Sequence, residues 1–267
     1  MTENINETVE TRPANRVNRW LAVALVVSLL ALLGWLGWRG VRAGLYARAA
    51  LDDLDRLQGV LADPSLDALP AARADIAALQ THLTQARAAG RPFLQIAPLL
   101  GWAPRFGPDL TQAPQLVDLA VEVATAGQRA VDALAPVAEL ARGGGLDALP
   151  GAVDALEAAG PALAEAEARL ARADALRSAM APLTEPRLAR QLERIDKLLP
   201  LARDGLRLAQ AAPALLGADG PATYLLLAQN SDELRATGGF ISGAGHVTVD
   251  RGKIIDLDEA DYSEAAD

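Results

Sequence analysis

The sequence predicts a mainly α protein: an N-terminal transmembrane helix, an extracytoplasmic antiparallel helical bundle, and then the start of a small α/β domain built from a strand, a polar turn and a β-hairpin. Three observations predict it. Nineteen residues near the start are apolar almost without interruption, the next stretch of about 170 residues repeats apolar positions in steps of three and four, and from Ala222 the pattern changes to alternation.

From Trp20 to Trp38 every residue is apolar or small except Ser28. At 1.5 Å per residue a helix of that length covers about 28 Å, enough to cross a bilayer. Trp20, Trp35 and Trp38 lie toward its ends, where aromatic belts form, and Arg16, Arg19, Arg39 and Arg42 flank it. A buried core helix is the bland alternative, but such helices normally keep one polar face. A cleaved signal peptide is the other: Val41-Arg-Ala43 has small residues in a cleavage-like arrangement, yet the apolar run exceeds the usual h-region. Positive charge does not orient the span, because Arg12, Arg16 and Arg19 before it are balanced by Arg39, Arg42 and Arg48 after it. The tail of residues 1–19, rich in Asn, Thr and Glu, reads as a short cytoplasmic end. The expected organisation is therefore a cytoplasmic tail over 1–19, the transmembrane helix over 20–38, a bundle or stalk over 45–216, and an incomplete α/β domain over 222–267.

Within the stalk, Leu116, Ala120, Val123, Gly127, Ala130, Leu134 and Val137 define one seam, and Leu188, Leu192, Ile195, Leu199, Ala202, Leu206 and Ala209 a second. Leu149, Val153, Leu156, Leu163 and Leu170 give a third. Breaks at Asp63-Pro-Ser65, Gly90-Arg-Pro92, Gly143-Gly-Gly145 and Pro182 to Pro186 divide the stalk into helices of about 45–61, 66–89, 109–141, 146–180 and 187–215. Short connections favour antiparallel neighbours. The connection from Pro92 to Pro108 is too apolar for an ordinary solvated loop, and two readings of it stand: Phe93, Leu99, Leu100 and Trp102 pack against the rest of the protein, or they dip into the membrane interface.

Beyond Ala222, Tyr224 to Ala228 is a short apolar run suited to a strand. Val247 and Val249 alternate with polar residues, Asp250-Arg-Gly-Lys253 supplies a turn, and Ile255 and Leu257 alternate again, which is a β-hairpin. A sheet of three strands with so little chain beside it is expected to belong to a domain that is truncated at Asp267.

Polar chemistry concentrates between the first strand and the hairpin. Asn230 and Glu233 have capping-box spacing, and Gly238 would end the helical turn they open. Free N–H groups there favour an anion, which Arg235 could clamp while Gly238 and Gly239 let it approach the backbone. The candidate binding residues are Asn230, Asp232, Glu233, Arg235, Thr237, Gly238 and Gly239; the alternative is that these side chains only satisfy one another. No catalytic residue is assigned. Ser231 and Ser242 have no nearby His to act as base, and no Walker-type glycine loop is present. Asp256, Asp258, Glu259 and Asp261 lack the glycine of an EF-hand loop, and His82 and His246 have no partner at metal spacing, so no metal and no cofactor is expected.

Composition narrows the partners. The chain is 51% hydrophobic with a net charge of −9, and no basic stripe carries interleaved aromatics, so nucleic acid is excluded as an expected partner. The absence of Cys excludes disulfides and thiolate chemistry. The lipid bilayer, through Trp20 to Trp38, is the expected partner.

The string from Tyr224 to Ile254, YLLLAQNSDELRATGGFISGAGHVTVDRGKI, resembles the opening of the bacterial domain of unknown function 4012 family. Leu99 to Asp109 resembles that family's Pro- and Gly-rich connection. The resemblance implies a membrane-anchored extracytoplasmic protein whose domain continues past Asp267, and it carries over no biochemical activity. A looser, architectural likeness to the LytR-CpsA-Psr transferases would place Arg235 against a pyrophosphate and Asp232 or Asp256 against a metal. Three functions follow: a membrane-anchored binding or assembly protein working with envelope polysaccharide machinery, a phosphoryl- or glycopolymer-transferring enzyme, or a helical sensor or stalk with coiled-coil partners.

Overall fold

The computed structural model describes residues 15–62, 68–230 and 240–261, with side chains over 24–59, 68–228 and 243–258. Helix α1 (Asn15–Ala62) has 48 residues, about 72 Å at 1.5 Å per residue. It joins the predicted transmembrane helix and the first predicted stalk helix without interruption. Gly40 and Gly44 lower helix propensity there but do not break it, since a helix whose flanks are both strong formers tolerates single glycines. Residues 24–35 are exposed on every side of the helix, and packing begins only at Arg39 and Gly40.

Helix α2 (Leu69–Ile96) returns antiparallel to α1: Arg56 pairs with Asp75, Asp53 with His82, and Gly40 takes the Phe93 ring. The sequence predicts that this helix stops near Ala89, and it does not. Pro92 sits inside it. A proline has no N–H to give the carbonyl four residues back, here that of Ala88. Arg39 supplies the missing donor from α1, with Nη2 2.6 Å from Ala88 O and Nε 3.2 Å from Ala89 O. The helix therefore survives its proline for one further turn, and a one-turn 3-10 helix, Ala97–Leu100, ends the segment.

Helices α3 (Gly107–Gly143), α4 (Leu149–Ser178) and α5 (Pro186–Leu215) complete an up-and-down arrangement in which each packs on its predecessor. Ion pairs mark the antiparallel register: Arg87 with Asp118 and Arg73 with Asp132 across α2 and α3, Arg129 with Glu165 across α3 and α4, and Arg177 with Asp196 and Arg207 with Glu167 across α4 and α5. The start of α5 is fixed from outside the helix. Asp109 accepts hydrogen bonds from the backbone N–H groups of Thr184 (2.6 Å) and Glu185 (2.8 Å), and Glu185 in turn accepts one from Arg187 N.

The core lies where α3, α4 and α5 meet. Val153, Leu156, Leu163 and Leu170 of the predicted third seam are buried, and so are Leu192, Leu199 and Leu206 of the second. On α4, Ala159, Ala166 and Ala173 are buried between those leucines, a tight contact that larger residues would prevent. The first seam is only half right. Leu116, Val123, Ala130 and Leu134 are partly buried, while Leu119, which lies off that seam, is fully buried. Helix α3 touches both α2 and α4, so its apolar surface is wider than one stripe. Among the described residues one charged side chain is buried, and it lies at the α1–α2 contact: Asp53, held through one oxygen by Arg56 and through the other by His82 Nδ1 at 2.6 Å.

Three strands form an antiparallel sheet in the order β1 (Ala222–Asn230), β2 (Phe240–Asp250), β3 (Lys253–Asp261). The predicted strand and hairpin are both present, each longer at its ends than the apolar runs that signalled them.

Candidate functional site

The β2–β3 turn is two residues, Arg251 and Gly252, both with positive φ (46° and 76°). That pair of left-handed residues makes the type I′ turn whose twist suits a tight hairpin. The turn does more than reverse the chain. Gly252 N–H donates to Leu216 O at 2.7 Å and Arg251 N–H to Gly217 O at 3.1 Å, so the hairpin tip completes the backbone hydrogen bonding of the C-terminus of α5. A side chain on Gly252 would meet the backbone of Leu149 and Pro150 within 3 Å, and one on Gly217 would meet that of Val249 and Asp250. Two glycines, each with positive φ, thus let three backbones close on one another at the far end of the bundle.

Charge reinforces the joint. Arg251 reaches the first turns of α4, with Nη2 2.7 Å from Asp154 and 2.9 Å from Glu157, and Nη1 3.3 Å from Ala218 O. Hydrogen bonding to Asp154, then to Glu157, holds the guanidinium still more firmly in its charged form. Tyr224 OH donates to Leu215 O from the neighbouring strand. A cleft of about 350 Å³ lined by Leu146, Asp147, Leu149, Pro150, Lys253 and Ile254 opens beside the contact.

Strand register divides the sheet into two unlike faces. Thr223, Thr248 and Asp256 lie across from one another on one face, followed by Leu225, His246 and Asp258. The Thr223 and Thr248 hydroxyls are 2.9 Å apart, and His246 Nε2 is 2.8 Å from Asp256. The opposite face carries Tyr224, Leu226, Val247, Val249, Ile254 and Leu257, of which Leu226, Ile254 and Leu257 are exposed. Among the described residues no group of three or more potential ligands converges on a metal-sized site. His246 and Asp256, unpaired in the sequence reading, are partners across the hairpin; His82 is the partner of buried Asp53.

Of the predicted binding residues, Asn230 closes β1, where it pairs with Phe240 at the start of β2. Asp232, Glu233, Arg235, Thr237, Gly238 and Gly239 lie outside the described residues. Their bracketing pair stands at the end of the sheet opposite the joint, since Ala222 and Val249 mark the other end of the same ladder. Ser231 is likewise outside the described residues, and the side chains of Ser242, Glu259 and Asp261 are not described. The joint itself was missed from sequence. Its signal was Gly217-Ala-Asp-Gly220-Pro221 directly after a long helix, which predicts a sharp turn but not what that turn receives.

Residues 219–266 match the model of a family described as a protein of unknown function, DUF4012. That match covers all three strands and the whole set of candidate binding residues. No curated protein matches the chain, and no solved structure does.

Proposed function

We propose that this chain, which carries a DUF4012 segment over residues 219–266, is a single-pass membrane protein of the cell envelope whose extracytoplasmic bundle holds that segment away from the bilayer for binding or assembly. The observation that carries the reading is the first part of α1. It is long and apolar enough to cross a membrane, residues 24–35 are exposed on every side of the helix, and Leu25, Leu29, Leu30, Leu32 and Leu33 are each at least half exposed. Apolar surface of that extent is unfavourable in water and satisfied in lipid. Trp35 and Trp38, with Arg39 and Arg42 stacked over their rings at 4.9 Å, suit the level where hydrocarbon gives way to headgroups. The N-terminus is cytoplasmic in this proposal.

The bundle then acts as a spacer with a rigid head. Arg251, Gly252 and Gly217 fix the sheet to the end of α5, so the ladder carries Asn230 and Phe240 away from the bundle. Binding is assigned to Asn230, Asp232, Glu233, Arg235, Thr237, Gly238 and Gly239, with an anionic group of the envelope polysaccharide machinery as the ligand class.

Since the chain contains no Cys, single thiols report its sidedness cleanly. In intact cells a membrane-impermeant maleimide is expected to label Thr81→Cys, an exposed position on α2, and to label Asn4→Cys only after permeabilisation. The reverse pattern, or labelling of neither before permeabilisation, overturns the proposal.

A further inference from the structure

We infer that the turn between α2 and α3 is a second membrane contact, inserting Leu99 and Trp102 into the lipid interface beside the outer end of α1. The inference rests on the reading of α1 as a membrane span. Its own support is the axial register of the hairpin. A methyl group on Gly40 would lie 3.3 Å from the Phe93 ring, one on Gly90 3.7 Å from the Ala43 side chain, and Arg39 bonds the carbonyls of Ala88 and Ala89. Helix α2 is therefore running toward the bilayer when it passes Gly40, and Ile96, about one turn further on, stands level with the last residues of the apolar span.

Helix α3 gives the same height independently. Arg87 pairs with Asp118, and α3 begins at Gly107, about 16 Å nearer the bilayer than Asp118 at 1.5 Å per residue. Phe93 lies only about 9 Å below Arg87 by the same rise. The turn from Ala97 to Phe106 consequently sits at or below the level of Phe93 on both of its sides.

What the turn presents at that height fits lipid rather than water. Trp102 is 78% exposed, Leu99 73%, Ile96 50% and Phe106 47%. Four exposed apolar side chains in one short connection stand in place of the polar turn that solvent selects. Between Arg87 and Asp109 the only charged residues are Arg91 and Arg105, both positive. Asp109, the next acid along the chain, accepts from the backbone N–H groups of Thr184 and Glu185 at the start of α5, and Glu185 accepts from that of Arg187. Arg105 lies over the Phe106 ring at 5.3 Å, repeating the arrangement of Arg39 over Trp35 and Arg42 over Trp38. Trp102 would thus join the aromatic belt of α1, and two contacts would set the tilt and rotation of the bundle on the membrane.

The test uses the full chain in vesicles of phosphatidylcholine and phosphatidylglycerol, with bromine placed on the upper acyl chain in half of the preparations. One variant keeps only Trp102 (Trp20, Trp35 and Trp38 to Phe); another keeps only Trp35. Brominated lipid is expected to quench Trp102 as strongly as Trp35. Quenching of Trp35 with Trp102 left bright would sink the inference and leave the anchor standing, and loss of quenching at both sinks the two together. A nitroxide on Leu99→Cys gives a reading free of Trp exchanges: collisions with dissolved oxygen are expected to exceed those with a water-soluble nickel chelate. The opposite ratio overturns the inference.

Discussion

Gly252→Val is expected to detach the sheet from the bundle while leaving the helices folded. Two separate penalties fall on this residue. Its φ of 76° is a conformation a β-branched residue strongly resists, and the new Cβ would lie 2.7 Å from Leu149 C and 2.8 Å from Leu149 O, contacts to backbone that no rotamer change relieves. Backbone strain of this kind costs about 1–3 kcal/mol before the collisions are counted. Amide exchange at residues 216–218 and 249–253 should therefore speed up by roughly tenfold to a hundredfold, each tenfold being about 1.4 kcal/mol of opening free energy. The thermal midpoint of the helical signal should hardly move, because the core of α3, α4 and α5 does not include the joint. Unchanged exchange at those amides would refute the account of Gly252 as a position where the hairpin and α4 backbones close on each other.

Leu163→Ala should have the larger effect on the bundle itself. Leu163 is completely buried in the cluster where α3, α4 and α5 meet, and the small side chains around it, Ala159 and Ala166 among them, have little reach to refill the space. Loss of the transferred methyl groups plus the residual cavity amounts to about 2–5 kcal/mol for such a leucine. Circular dichroism in detergent should show a clearly lower unfolding midpoint for this variant. Leu51→Ala, at a position 55% exposed on α1, should stay within about 0.5 kcal/mol of the parent. Equal effects at the two positions would mean that the core lies elsewhere.

The α4 and α5 seams were legible because each of those helices buries essentially one stripe, so Leu156, Leu163, Leu170, Leu192, Leu199 and Leu206 could be read directly from their spacing. Helix α3 defeated the same reading. Its burial is spread more widely than one stripe, taking in Leu119 as well as the neighbours of the predicted seam, and a single period does not describe it. Pro92 misled for a different reason: the rule that a proline ends a helix assumes that the carbonyl it abandons goes unpaired. Arg39, 53 positions earlier in the chain, satisfies that carbonyl, and nothing local announces it. The hairpin turn was visible in Asp250-Arg-Gly-Lys253, but its insertion against Leu149 and Leu216 is a long-range event that composition does not encode. The pairing of Asp53 with His82 is of the same kind, two polar residues on consecutive helices that only the register brings together. For the candidate binding residues the structure adds a location for the bracketing pair, Asn230 and Phe240, and the chemistry assigned to them still comes from the sequence.

The proposed envelope function depends on α1 residing in lipid. The most direct measurement is the partition of the intact chain after membranes from expressing cells are washed with alkaline carbonate, which strips proteins held by surface contacts and leaves spanning ones in place. The chain is expected to remain wholly in the membrane pellet, and a chain in which Leu25, Leu29, Leu30 and Leu33 are replaced by Gln is expected to leave it. Recovery of the unaltered chain in the supernatant would contradict the assignment of α1 as a span, and with it the envelope function.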